Sequence, residues 1–119
     1  MAKAELISIG SELLLGQIVD TNSAWMAQRL TNLGVDLYYK TVVGDNPYRM
    51  KEVLSRAIGR SDIVITGGGL GPTQDDITRE IIAEVLGVDL VRDQGLVQQM
   101  DVRFQSRGLI MTSNNSRQA

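Results

Sequence analysis

The stretch from residue 63 to residue 78 constrains the fold of this chain more than any other. A short β-branched run, residues 63–66, leads into four glycines within residues 67–71. Two adjacent carboxylates, Asp75 and Asp76, follow and precede a helical pattern. This order predicts a buried strand, a loop with little steric hindrance, and the start of a helix. Exposed amides in such a loop, beside the positive end of a helix dipole, form an anion site.

The glycine-rich loop has two interpretations. It is not a P-loop, because no Gly-Lys-Ser/Thr follows, and its spacing differs from the G-x-G-x-x-G dinucleotide motif. One interpretation is a tight strand–helix turn that needs glycine for backbone reasons alone. The other is a diphosphate site, with a hard divalent cation between the phosphates and the two carboxylates. Four glycines followed by two aspartates favour the second interpretation.

Absent residue types limit the chemistry further. The 119 residues include no cysteine and no histidine, which excludes disulfides, thiolate nucleophiles, zinc–sulfur sites and Ser-His-Asp triads. Catalysis would depend on carboxylates, hydroxyls, lysine, backbone dipoles or an oxygen-liganded metal. The net charge of −2 with no basic block argues against nucleic acid. No apolar run approaches the ~20 residues that span a bilayer, so we expect a cytoplasmic protein.

Strand and helix patterns alternate along the rest of the chain. Strands are predicted at residues 4–9, 35–43, 63–66 and, as a short edge strand, 88–91. Helices are predicted from residues 20–23 to Gly34, from Asn46-Pro47 to Gly59, from Asp75 or Asp76 to Gly87, and over residues 93–108. Residues 11–20 are predicted to form a loop or a loop with one turn. Short connections between these elements predict an α/β fold with a parallel sheet and right-handed crossovers.

Glycines and carboxylates follow all three main strands of this prediction. The strands end at Gly10-Ser11-Glu12, at Gly44-Asp45 and at the loop that leads to Asp76. Ligands of open parallel sheets bind beyond the carboxyl ends of the strands, so we expect these residues to meet at one site. Each carboxylate also has a simpler interpretation: Glu12 as a loop residue, Asp45 as a turn residue and Asp76 as a helix cap.

Three further residues keep two interpretations each. Thr78 either donates to a phosphate or bonds back along its helix. Asp20 is more readily a helix cap than a catalytic residue. Trp25, the single tryptophan, is expected to pack in the interior rather than to stack on a base.

The motifs together resemble one family, the CinA (competence/damage-inducible protein A) proteins. Residues 10–22, GSELLLGQIVDTN, resemble the opening of that family, and residues 43–46 resemble its second-strand segment. Residues 67–78 are similar to its glycine loop. Asn115 and Arg117-Gln118-Ala119 resemble a later motif. The resemblance runs the whole length of the chain.

This resemblance implies a fold and a set of site residues. The fold is the three-layer α/β/α molybdopterin-binding (MogA/MoaB-like) fold of molybdenum-cofactor biosynthesis, incomplete at the C-terminus. Asp45 and Asp76 are implied as catalytic residues that hold a divalent cation (Mg²⁺, Mn²⁺ or Co²⁺), and Glu12 or Asp75 would orient the attacking water. The residues implied to bind phosphate or nucleotide are Gly67, Gly68, Gly69, Gly71, Thr73, Thr78 and Asn22.

The same resemblance implies an activity, namely metal-dependent hydrolysis of ADP-ribose to AMP and ribose 5-phosphate. The alternative is a molybdopterin- or nucleotide-binding module without hydrolysis, and a third possibility is a piece used mainly for oligomerisation. Residues 1–119 are expected to be the N-terminal part of a CinA-type domain, with the C-terminal deamidase domain of the family absent. Expected partners are a nucleotide or pterin and further copies of the chain, with neither nucleic acid nor a membrane.

Overall fold

Three parallel strands form the centre of the structure, a computed structural model that describes residues 2–119. The strands are β1 (Lys3–Ile9), β2 (Asp36–Val43) and β3 (Ile63–Gly67). The helices are α1 (Ser11–Leu14), α2 (Thr21–Asn32), α3 (Pro47–Arg60), α4 (Thr78–Leu86), α5 (Gln94–Ser106) and α6 (Ser113–Ser116). Apart from the edge strand predicted at residues 88–91, the predicted order of strands and helices is confirmed, and residues 11–20 contain one helical turn.

The sheet has the order β2-β1-β3, and both of its strand pairs are parallel. At its carboxyl edge, Ile9 of β1 lies opposite Val43 of β2, and Ser8 lies opposite Gly67 of β3. All three strands therefore end at one edge, as the parallel prediction required. β1 lies in the middle, with β2 added on one side of it and β3 on the other. The order of the strands therefore reverses at the boundary between β1 and β3. Such a topological switch point is where open α/β sheets bind ligands.

The main core lies between one face of this sheet and helices α3 and α4. α3 contacts all three strands and packs against α4, whereas α2 contacts β1 and β2. Alternation along β1 explains this arrangement, since successive side chains point to opposite faces. The buried core residues on the α3 side are Ile7, Ile9, Val43, Met50, Leu54, Ala57 and Ile81.

Helix α3 begins as predicted, with the Asn46 side chain accepting from Arg49 N at 3.1 Å and Pro47 in the first turn. The prediction that Gly59 ends it is wrong. The helix continues to Arg60, whose guanidinium pairs with the buried carboxylate of Glu5 on β1. A glycine inside a helix costs only about 1 kcal/mol, so Gly59 does not by itself end the helix.

Two other predictions, the edge strand at residues 88–91 and the burial of Trp25, are wrong. Residues 88–91 are not a strand; Leu90 and Val91 are exposed and pair with no ladder in the described chain. Trp25 does not pack in the interior, because its side chain is 59% exposed on α2 and carries the Arg29 guanidinium over its ring at 5.0 Å. None of the helices within residues 2–119 is long and apolar enough to cross a membrane.

Candidate functional site

The glycine loop lies directly against the end of β1. Gly68 and Gly69 have φ values of 98° and 69°, in the left-handed region that favours glycine. A Cβ on Gly68 would lie 2.1 Å from the carbonyl oxygen of Ile9, and one on Gly69 would lie 2.0 Å from Thr78 Oγ1. Both glycines are therefore needed for backbone conformation and for close approach, so the structural interpretation of the loop holds whatever it binds.

Asp76 organises the second half of the loop. Its Oδ2 accepts from the amide of Thr73 at 3.1 Å and from the Thr73 hydroxyl at 2.5 Å. Gly71 leaves room for this carboxylate, since a Cβ there would lie 2.6 Å from Asp76 Oδ2. The Thr73 hydroxyl bond is the main cause of a lowered Asp76 pKa; the amides of Thr73 and Gly71 and the charge of Arg117 add to it and outweigh the opposing desolvation. Asp76 is thus held as a carboxylate.

The expectation that Asp75 or Asp76 caps the following helix is wrong. α4 begins at Thr78, and the residue in its cap position is Ile77, which offers no side-chain bond. Thr78 is fully buried and donates from its hydroxyl to the Gly68 carbonyl at 2.8 Å, while its amide donates to the Gly69 carbonyl at 3.2 Å. Asp76 instead bonds backwards into its own turn, and Thr78 supports the loop.

Three side chains that sequence reasoning missed bind the loop carbonyls. Arg79 Nη1 and Gln118 Nε2 donate to the Leu70 carbonyl at 2.9 and 3.1 Å. Arg117 donates to the Thr73 carbonyl at 2.8 Å and to that of Asp76 at 3.2 Å. Only the Arg117-Gln118 motif, noted as a family resemblance, could have pointed to these contacts.

The ends of the other two strands are tied together through Ser11 and Asp45. The Ser11 amide donates to Asp45 Oδ2 at 3.2 Å, and the Asp45 amide donates to Ser11 Oγ at 3.1 Å. Glu12 lies one residue further on, with its carboxylate over Gly10, where a Cβ would lie 2.7 Å from Oε1. Asp45 and Glu12 therefore both lie at the carboxyl edge of the sheet, as predicted.

A cavity of about 310 Å³ opens at the switch point between β1 and β3. Its polar lining includes Glu12, Asp20, Asn22, Gly67 and Gly68. Its apolar lining includes Leu13, Ile18, Val19 and Met26. The predicted site residues at Glu12, Asn22, Gly67 and Gly68 are thus brought together. The other predicted residues, Asp45, Gly69, Gly71, Thr73, Asp76 and Thr78, do not line this cavity.

Asp20 has the structural role predicted for it and also lines the cavity. It caps α2 by accepting from Ser23 N at 3.1 Å through Oδ1. The nearby Ser8 hydroxyl is the main cause of a lowered Asp20 pKa; the Ser23 bonds and Lys40 add to it, and burial opposes it. Asp20 Oδ2 is buried without a hydrogen bond of good geometry in the described residues. The carboxylate adds negative charge beside the cavity.

The residues present suit a cation shared with a ligand better than one enclosed by protein. Within residues 2–119, no three Asp, Glu, His or Cys side chains are grouped to hold a metal ion. Mg²⁺ commonly binds one or two carboxylates together with waters and substrate phosphates. Asp45 and Asp76, the two implied cation ligands, do not line the cavity, so a cation held by them would also depend on the substrate phosphates.

Comparisons with known proteins agree with this geometry. The sequence profile of the family described as "Probable molybdopterin binding domain" matches residues 5–118. The chain belongs to this family. Its fold matches the crystal structure of "the protein CinA with unknown function" from Thermoplasma acidophilum, with a TM-score of 0.85 and 32% identity over 97% of this chain and 67% of that one. It also matches MoaB from Pyrococcus furiosus, described as tungsten cofactor synthesizing, with a TM-score of 0.65 and 28% identity over 71% of this chain and 52% of that one.

Relatives in sequence support the CinA assignment. A "Putative competence-damage inducible protein" of Symbiobacterium thermophilum is 53% identical over 97% of this chain, and one of Listeria monocytogenes is 52% identical over all of it. The CinA-type resemblance and the MogA/MoaB-like fold are confirmed. The chain spans 27% and 29% of the lengths of these two relatives.

Proposed function

We propose that this CinA-type domain binds a nucleoside diphosphate sugar at the carboxyl edge of its sheet and hydrolyses ADP-ribose to AMP and ribose 5-phosphate with the help of a divalent cation. One observation carries the proposal. The cavity at the β1/β3 switch point combines the glycine-loop backbone at Gly67 and Gly68 with the carboxylates of Glu12 and Asp20. Backbone amides attract phosphates, and carboxylates beside a phosphate call for a cation or a water to orient.

The chain's own residues have distinct parts in this proposal. The glycine loop, already held in one conformation, offers amides to the diphosphate oxygens without reorganisation during the reaction. The apolar side of the cavity, with Ile18, Val19 and Met26, suits the flat face of a base. Glu12, on the polar side, is the proposed residue to orient water toward phosphorus. A divalent cation, shared by Asp45, Asp76 and the substrate, would supply charge neutralisation and a more acidic water.

The test is hydrolysis of ADP-ribose by the chain with Mg²⁺, Mn²⁺ or Co²⁺ in turn, followed by chromatography of AMP. We expect turnover with at least one metal, loss upon chelation, and a drop of about 100-fold or more in Glu12→Gln and Asp76→Asn if these groups assist directly. Asp89→Asn, an exposed acid between α4 and α5, is the matched control. No turnover with any metal, or unchanged turnover in both variants, would contradict the proposal.

A second function, binding of a pterin or nucleotide without hydrolysis, has its own support. No three metal-binding side chains are grouped within residues 2–119, and Asp76 Oδ2 is already engaged by Thr73. A binding module needs the loop and the cavity but no positioned water. Calorimetry with molybdopterin, AMP and ADP-ribose separates the two functions, since binding without product formation favours the module.

A further inference from the structure

The last residues of the chain lie against the glycine loop, more than forty positions away in sequence. The short helix α6 carries a capping box in which the side chains of Thr112 and Asn115 bond each other's backbone amides. This cap fixes the turn that ends at Arg117. Arg117 then reaches the Thr73 carbonyl at 2.8 Å and the Asp76 carbonyl at 3.2 Å. One guanidinium thus joins both ends of the Thr73–Asp76 turn.

Arg117 is itself held in place. Its Nη2 lies 3.2 Å from Glu80 Oε1, on the first turn of α4, and its side chain is 26% exposed. Glu80 is partly desolvated, which opposes ionisation, but its own backbone amide, the Arg117 bond and the nearby arginine charges outweigh this and lower its pKa. The pair therefore stays charged at neutral pH. Arg117 has α4 on one side and the loop on the other.

These contacts determine which way the loop peptides face. In a planar trans peptide the C=O and the following N–H point in opposite directions. When Arg117 binds the carbonyls of Thr73 and Asp76, the amides of Gln74 and Ile77 are turned away from the guanidinium. Arg79 and Gln118 act in the same way on the Leu70 carbonyl. Cationic and amide donors thus hold the carbonyls on one side of the loop. The amides of Gln74 and Ile77 are left for the other side, whereas that of Gly71 bonds Asp76.

We infer that Arg117 is a positioning residue that holds the glycine loop in its anion-binding conformation before a ligand arrives. The inference rests on the proposed binding of a diphosphate at this loop. Arg117 makes no contact with the ligand in this scheme; it reduces the ordering cost of binding. A planar guanidinium can bind two carbonyls at once, whereas a lysine ammonium is a single point charge. Arginine and lysine are therefore expected to differ here.

The experiment compares the wild-type chain with Arg117→Gln, Arg117→Lys and, as a matched control, Arg107→Gln, which removes an exposed arginine at the end of α5. Titration calorimetry measures the affinity for inorganic pyrophosphate and for ADP-ribose, both with Mg²⁺. Amide hydrogen exchange is followed at Thr73, Asp76 and Thr78, whose amides bond within the loop. Exchange along β1 reports global stability.

The expected result is an affinity for both ligands that is weaker by about tenfold or more in Arg117→Gln, intermediate in Arg117→Lys and unchanged in Arg107→Gln. Loop amides should exchange faster in Arg117→Gln while those of β1 do not change. Wild-type affinity and wild-type loop exchange in Arg117→Gln would overturn the inference and leave the proposed function intact.

Two other outcomes are also decisive. If the wild-type chain binds neither ligand, the proposed diphosphate site fails and the inference fails with it, whatever the loop exchange in Arg117→Gln. If the β1 amides of Arg117→Gln lose their protection from exchange, that variant is globally destabilised, and the inference is tested with Arg117→Lys instead. A lysine variant with intact β1, wild-type affinity and wild-type loop exchange overturns the inference, and one with intact β1 but a weakened loop supports it.

Discussion

Glu5 and Asp76 are both carboxylates held by several hydrogen bonds, but they lie in opposite parts of the molecule. Glu5 is 1% exposed in the first half of the central strand and accepts from Arg60 and from Ser61 Oγ at 2.8 Å, partners on a different element. Asp76 lies beyond the carboxyl edge of the sheet and bonds Thr73, three residues earlier. The first carboxylate joins distant elements, and the second shapes one loop.

The difference teaches how to separate stability from function in this fold. A carboxylate that is buried and fully partnered across elements contributes to the free energy of unfolding. A carboxylate that is partnered only within its own turn determines local shape and keeps an exposed side for a ligand. Variants at the two ends of the sheet should therefore affect different measurements.

The largest effect is expected from Gly68→Ala in the loop. The added Cβ would meet the Ile9 carbonyl at 2.1 Å in addition to the left-handed φ of 98°, so we expect at least about 3 kcal/mol of destabilisation in urea unfolding and loss of anion binding. Gly87→Ala is the control, because its φ is 67° and no atom lies within 4 Å; it should cost about 1 kcal/mol. Equal costs would show that close approach to β1 does not matter.

A smaller loss is expected from Glu5→Gln at the other end of the sheet. Glutamine keeps the volume but removes the charge that binds Arg60, so unfolding should be easier by about 1–2 kcal/mol, less than for a fully buried pair, because Arg60 is 41% exposed and can reach water. ADP-ribose affinity should not change. Glu52→Gln, which breaks an exposed pair with Arg56, should change stability by less than about 0.5 kcal/mol. Similar values for the two variants would refute a special role for Glu5.

The smallest effect is a pH dependence. Burial raises the pKa of Glu5, but the bonds from Arg60 and Ser61 and the charge of Arg60 outweigh it, so the pKa lies below 4.5. A lowered pKa stabilises the folded state above the unfolded value, and this contribution is lost as pH falls through the folded value. The stability difference between wild type and Glu5→Gln should be constant from pH 7 to about 5 and shrink below about 4.5. A difference that grows on acidification would contradict this sign.

Much of the architecture followed from local patterns. The β-branched runs at β1, β2 and β3, the Asn46-Pro47 helix start and the glycine after α4 are each local signals, and the structure confirms the elements they predicted. The parallel order then placed Glu12, Asp45 and the glycine loop at one edge. Family resemblance added the fold type, which the structural comparisons confirm.

Contacts that depend on the path of the chain were not predictable in this way. Arg117 and Gln118 reach loop carbonyls 41 to 48 residues earlier, and no local spacing indicates such a pairing. Aspartate is a common helix-cap residue, which is why Asp76 was predicted to cap α4. The space left by Gly71 instead lets the Asp76 carboxylate turn back to Thr73. Residues 88–91 had strand composition, but a strand needs a neighbour. In each case tertiary geometry decided between local options.

The exposure of Trp25 has a practical consequence for spectroscopy. It is the single tryptophan of the chain, and it lies on α2 between Asn22 and Met26, two residues that line the cavity. Tryptophan fluorescence therefore comes from one indole ring on the helix that carries these two cavity residues, with the Arg29 guanidinium over it. The emission wavelength and iodide quenching of Trp25 therefore report on the environment of the first turns of α2 without an added label.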